Sequence, residues 1–144
     1  DTCGEDDDED SVHTVCKDYN VTSRSDNMAE RCPEDFITWC KTNSIEQILR
    51  LNFSHEPGLK MLGGSYDRKV IEKYGISHTD VPVYDTNGGL PSPAQIRSAL
   101  AASMDIKDGR ALLVHCKGGF GRSVLTACLC IMGRFDVSGY ALLG

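Results

Sequence analysis

Apolar residues along this chain alternate between a helical and an extended spacing, and each change of spacing predicts a new element. "CPEDFITWCKTN" reads as a helix: Pro33 suits its first turn, Glu34 and Asp35 its positive end, and Phe36, Trp39 and Cys40 fall on one face. "IEQILRLNF" follows as a strand, with Leu49, Leu51 and Phe53 alternating onto one side. "SHEPGLKMLGGS" is loop by its glycine and proline content. A helix from about Tyr66 to Tyr74 carries Val70, Ile71 and Tyr74 on one stripe, and Gly75 ends it. The short strand "DVPVY" runs into "DTNGGLPSP", an irregular loop expected to be mobile. Ser92 caps a helix with Ile96, Leu100 and Met104 at four-residue spacing. "GRALLVH" has the continuous apolar character of a strand buried on both faces. The last helix starts near Arg122 and is predicted to bury Leu125, Cys128, Leu129 and Met132. Residues 11–31 are polar and weakly patterned, and receive no element.

Strands and helices alternating in this way predict an α/β domain: a central, mostly parallel sheet flanked by helices on both sides. Ligands of such sheets bind beyond the carboxyl ends of the strands. Cys116 falls at that edge, directly after "ALLVH". A chain of 144 residues suffices for one domain that buries about two thirds of its unfolded surface. Its net charge of −6 is uneven, because the first ten residues hold seven acids and no base, leaving the remainder close to neutral. Residues 1–31 are accordingly expected to form an acidic, disordered tail, and residues 32–144 the folded domain. A tail that mimics phosphate or guards a basic site is the functional alternative. The near-neutral domain offers no broad basic face to nucleic acid.

The N-terminus lacks the apolar segment of a secretory signal, and the longest uncharged apolar run, "VLTACLCIM", is far short of the roughly 20 residues of a membrane helix. The seven cysteines are an odd number, and Cys128 and Cys130, two apart on a predicted helix, point to different sides. This suits a reducing cytoplasm or nucleus and not a disulfide framework, so the glycosylation patterns at Asn20 and Asn52 are coincidental. His13, His55 and His78 have no spacing that suggests a metal.

The candidate chemistry lies in "HCKGGFGRS", residues 115–123. Between His115 and Arg122 the backbone must turn from strand to helix within a few residues. Gly118, Gly119 and Gly121 allow dihedrals in which successive N–H groups point inward as an anion nest, and the new helix adds its own unpaired N–H groups and positive end. Such a cradle would hold phosphate. A cysteine at its floor makes it a reaction centre, because a thiol with an ordinary pKa of about 8.5 becomes a thiolate among N–H donors. Arg122 has a planar, permanently charged fork suited to two phosphate oxygens. A second cysteine with an arginine six positions on, Cys128 and Arg134, has one glycine, follows helical spacing and reads as core. Attack of a thiolate on a phosphate ester also needs a proton donor for the departing oxygen. Asp85, just past a strand and at the head of the glycine-rich loop, is favoured over Asp80, which reads as a structural cap.

"VHCKGGFGRS" resembles the H-C-x-x-G-x-x-R-[ST] signature of cysteine-dependent dual-specificity protein phosphatases. "ILRLN", "YDRKVIEKYG", "HTD" and "LPSPAQI" are similar to segments of the mitotic-exit, Cdc-fourteen type, over roughly residues 33–144. The resemblance implies a protein-tyrosine-phosphatase-like fold with the signature loop between a buried strand and a helix, and a monomer acting on a phosphorylated protein without metal or cofactor. It implies Cys116 as nucleophile, Arg122 as phosphate clamp, Asp85 as general acid and then base, Ser123 as hydrogen-bond donor to the leaving thiolate, and His115 as the residue that orients the loop. Lys117, Gly118, Gly119, Phe120 and Gly121 would line the substrate. Val124 stands where the family has a small glycine, and the loop after Asp85 is about two residues longer. The family has a preceding non-catalytic domain. It also continues past the position of Gly144 through an Arg-rich helix to a glutamine segment that positions water, so the sequence is expected to be a fragment whose catalytic domain lacks its C-terminal part.

Rival readings belong to other classes. A phosphoinositide phosphatase uses a similar loop with a second lysine; Lys117 fills one such place and Phe120 the other. A phosphate-binding module without catalysis would need no nucleophile. Sulfur transfer through a persulfide suits a loop of this span less well.

Overall fold

The computed structural model describes residues 33–57, 59, 65–85 and 89–143, so the region read as an acidic tail lies outside the described residues. The elements in chain order are α1 (Pro33–Thr42), β1 (Ile45–Arg50), α2 (Arg68–Lys73), β2 (Ser77–Asp80), α3 (Pro93–Met104), β3 (Ala111–His115), α4 (Arg122–Phe135) and α5 (Gly139–Leu143). Among the described residues the sheet has three strands in the order β2-β1-β3, and β1 runs parallel to both neighbours. The parallel α/β reading therefore holds.

β1 is buried on both faces, as the central strand of a covered sheet must be. Ile45 and Ile48 join Ile37 and Cys40 of α1 and Ile71 and Ile76 around α2 in one core cluster. Leu49 and Leu51 face the opposite way and pack with Val81, Ala99, Ala102 and Cys130 beneath α3 and α4. The expected alternation thus holds for Leu49 and Leu51, which share one side, but the other face of the strand is buried as well, and the strand ends at Arg50, short of Phe53. β3 is half-buried along its length, not fully covered, because it is paired along one edge only among the described residues.

"DVPVY" follows a strand and does not form one. β2 ends at Asp80, but extended backbone continues the ladder, with Val81 N–H on Arg50 O and Val83 N–H on Leu51 O, each 2.9 Å. Pro82, which has no N–H to give, falls between these two donors. This ladder carries Tyr84 and Asp85 past the end of β1.

Helix positions agree with the sequence reading better than helix faces do. Ser92 caps α3 with a full capping box to Gln95, yet α3 buries Ala99, Ala102 and Ser103, while Met104 is 60% exposed. In α1 the buried pair is Ile37 and Cys40, and Trp39 stays exposed, stacked on Phe36. α4 starts at Arg122 as expected, but it buries Arg122, Ser123, Thr126 and Cys130; Leu125 and Met132 are exposed, and Cys128 and Leu129 half-buried. Arg134, the arginine of the second cysteine–arginine pair, donates to the carbonyls of Ser103 and Ile106 at the end of α3, a structural cap. None of the described helices is long and apolar enough to cross a membrane.

Candidate active site

The carboxyl ends of the three strands place Asp80, Arg50 and His115 side by side in the ladder. Immediately beyond His115 the chain turns through residues 116–121 into α4. Of the three glycines in this turn, Gly119 alone takes a left-handed conformation, with φ +78°. That twist points its N–H at the Cys116 sulfur, 3.2 Å away. Ser123 Oγ lies 3.4 Å from the same sulfur, placed to donate its hydroxyl proton to a thiolate. Burial alone would raise the Cys116 pKa. Hydrogen bonds from the Ser123 hydroxyl and from the N–H groups of Gly119, Ser123 and Gly118 outweigh burial and hold it below the ordinary thiol value. Cys40 and Cys130 have burial without comparable donors and shift upward, the behaviour of inert core thiols.

Arg122, at the first turn of α4, is almost entirely enclosed. Its five N–H bonds are largely assigned. Glu56 takes one from each terminal nitrogen, at 2.5 and 3.0 Å; the Val83 carbonyl takes another from Nη1 at 2.9 Å; Asp85 Oδ2 takes another from Nη2 at 3.1 Å. Glu56 is itself fixed, accepting the Phe53 N–H at 2.9 Å, and its bond to Arg122 holds its carboxyl below the usual range. Lys117 does not turn toward the sulfur. Its ammonium donates to the Pro57 carbonyl and ties the signature loop to the loop after β1. Phe120 is 92% exposed, and Gly121 is the N-cap position of α4. Asp80 instead pairs with Arg50 at 2.6 Å.

The expected residues Cys116, Ser123, Arg122 and Asp85 are thus brought together. Glu56 is not among the expected residues, because it orients the arginine from a separate loop and carries no motif of its own. Its position, three residues past the apolar run "IEQILRLNF" and so at the carboxyl edge of the sheet, was the available signal. Tyr66 and His78 were also missed: the Tyr66 hydroxyl lies 2.6 Å from His115 Nε2 and 2.9 Å from His78 Nε2.

The family model described as cyclin-dependent kinase inhibitor 3 (CDKN3) matches residues 37–139. The chain is 27% identical over 103 residues to the tyrosine-protein phosphatase CDC14 homolog of Schizosaccharomyces pombe, covering 69% of this chain and 16% of that protein. It is 33% identical over 94 residues to the tyrosine-protein phosphatase CDC14 of Saccharomyces cerevisiae, covering 65% and 14%. The chain therefore spans about a sixth of the length of these curated relatives. Among solved structures, Tk-PTP in its active form superposes with a TM-score of 0.60 at 22% identity, over 87% of this chain and 78% of that one. A DUF442 protein from Shewanella putrefaciens superposes with a TM-score of 0.57 at 18% identity, over 85% and 74%. Both likenesses concern the fold.

Proposed function

The chain belongs to the cyclin-dependent kinase inhibitor 3 (CDKN3) family, and from that membership we propose that it hydrolyses phosphate monoesters on proteins as a cysteine-dependent dual-specificity phosphatase. The observation that carries this reading is a sulfur that receives Gly119 N–H at 3.2 Å in the loop that also supplies Arg122. Ordered groups kept aimed at a thiolate serve a nucleophile, whereas a site that only binds phosphate gains nothing from it.

In the first step the Cys116 thiolate attacks phosphorus. An S–P bond forms as the P–O ester bond breaks, and the Asp85 carboxylic acid gives its proton to the departing oxygen. In the second, Asp85 as carboxylate takes a proton from water as water attacks phosphorus. The S–P bond breaks, phosphate leaves, and the restored thiolate accepts the Ser123 hydroxyl. Arg122 spreads the charge of the equatorial oxygens. Glu56 and Val83 hold the rear of the guanidinium, so the edge available to substrate is Nε–H together with the Nη2 hydrogen that Asp85 now occupies. Binding of phosphate thus exchanges Asp85 off the arginine and frees it for the leaving group. The tie of Lys117 to Pro57 favours a protein substrate over a phosphoinositide, since it removes the lysine from the headgroup. A reducing cytoplasmic or nuclear setting forms part of the proposal, supported by four free cysteines among the described residues.

Hydrolysis of a chromogenic aryl phosphate tests it. Cys116→Ser is expected to abolish turnover, and Asp85→Ala to lower kcat by about 10²- to 10⁴-fold for poor leaving groups and less for activated ones. Equal, slow release from wild type and both variants would leave only a phosphate-binding module.

A further inference from the structure

With both rings neutral, the part-buried hydrogen bonds behind the signature loop admit one arrangement of protons. The Cys116 carbonyl can only accept, and His115 Nδ1 lies 3.3 Å from it, so Nδ1 carries the hydrogen. Burial lowers the His115 pKa and keeps the ring neutral, which leaves Nε2 bare. Nε2 therefore accepts from the Tyr66 hydroxyl at 2.6 Å. With its proton committed, the Tyr66 oxygen can only accept from His78, whose Nε2 lies 2.9 Å away and must be the donor. Burial likewise keeps His78 neutral, its pKa lowered to about 4, so its Nδ1 is bare. This last consequence accounts for a separate observation: His78 Nδ1 is buried, has no hydrogen-bond partner, and faces Asp80 Oδ2 at 3.9 Å, acceptor against acceptor.

We propose that Tyr66 and His78 are positioning residues for the nucleophile, forming a one-way chain from His78 Nε2–H through the Tyr66 hydroxyl to His115 that fixes the His115 tautomer and so the Cys116 peptide. The His115 Nδ1–H holds the Cys116 carbonyl on the protein side of the loop, and the N–H groups that follow are then free to turn toward the sulfur. Arg50 braces the chain: it pairs with Asp80 at 2.6 Å, donates to the Tyr66 carbonyl at 2.7 Å, and its guanidinium lies 4.8 Å over the Tyr66 ring. The charged groups facing His78 are Asp80, Arg50 and Arg68, with His115 across the tyrosine. Protonation of His78 adds a hydrogen at Nδ1 toward Asp80 and leaves the Nε2 donor in place, so the chain keeps its direction in acid.

The inference concerns the site of the proposed phosphatase, but its primary readout needs no substrate. Long-range ¹H–¹⁵N correlation spectra of the labelled full chain are expected to show His115 protonated at Nδ1 and His78 at Nε2, the latter assigned by its disappearance in His78→Gln. The opposite tautomer at either ring would overturn the proposal whether or not any variant folds. Tyr66→Phe and His78→Leu are expected to raise the pH midpoint of Cys116 alkylation by iodoacetamide, followed by mass spectrometry. Each is also expected to lower kcat by about three- to tenfold, the worth of one hydrogen bond, with KM changed by less than about twofold. His78→Gln, whose amide nitrogen replaces Nε2 as donor, is expected to recover most of what His78→Leu loses. Variants that melt lower but alkylate and turn over like wild type would make the chain merely structural. Correct tautomers in a chain without phosphatase activity would instead remove the proposed function and leave this inference standing.

Discussion

Glu56 governs Arg122 more than any other side chain does. The pair is enclosed, with side-chain exposures of 9% and 4%, so removing one charge strands the other. Breaking such a pair costs roughly 3–5 kcal/mol. Glu56→Gln is therefore expected to lower the urea midpoint markedly and to weaken vanadate binding, both measurable on the same sample. A variant as stable and as vanadate-avid as wild type would deny the carboxylate its orienting role. Because the folded Glu56 pKa lies below its ordinary 4.5, its contribution is complete above that pH and fades as pH falls through the lowered value. At this scale the sequence was most legible where a residue's own chemistry announces it: Cys116, Arg122 and Ser123 are spaced by a local turn. Glu56, Tyr66 and His78 reach the site from other loops and strands. Their roles come from long-range register, which one-dimensional spacing does not contain.

Among the elements, α3 and α4 reveal why faces were misassigned. The inner stripe of α4 is polar, Arg122, Ser123 and Thr126, because the first turn of this helix faces the Cys116 sulfur and the Glu56 carboxylate. A reading that sends apolar residues inward turns such a helix the wrong way. Small residues do the equivalent on α3, where Ala99, Ala102 and Ser103 allow close approach. The closeness is measurable at Gly133, where an added Cβ would sit 2.5 Å from Leu100 Cδ2. Gly133→Ala is thus expected to gain no stability although alanine is favoured in helices. In a Leu100→Ala background the same change is expected to stabilise by about 1 kcal/mol. A double-mutant cycle by thermal unfolding reads the difference, and additive effects would refute the contact.

For the molecule as a whole, the parallel direction of the strands was readable from the alternation of periods, since strands joined by helices have few alternatives; their order, β2-β1-β3, was not. The balance of protons across the sheet was not readable, because it depends on two histidines being sealed in. His78 has a folded pKa of about 4 against 6.5, and His115 shifts the same way. Between those values the unfolded chain binds protons that the native chain refuses, so stability is full above pH 6.5 and declines as pH falls toward 4. His78 alone contributes on the order of 3 kcal/mol to that decline. Urea midpoints at pH 7 and pH 5 are expected to differ accordingly, and the difference to shrink in His78→Gln. A flat profile across this window would mean that His78 titrates normally.

The conformation of Gly119 has a consequence for how this protein tolerates change. A methyl group added there would meet no atom within 4 Å, so position 119 looks permissive to any inspection of neighbours. Its constraint is torsional: φ +78° is hospitable to glycine and strained for other residues. Relaxing it would rotate one amide off the sulfur. In the proposed phosphatase the thiolate depends on this backbone angle, so a variant at this position could retain every side-chain contact and still be chemically silent.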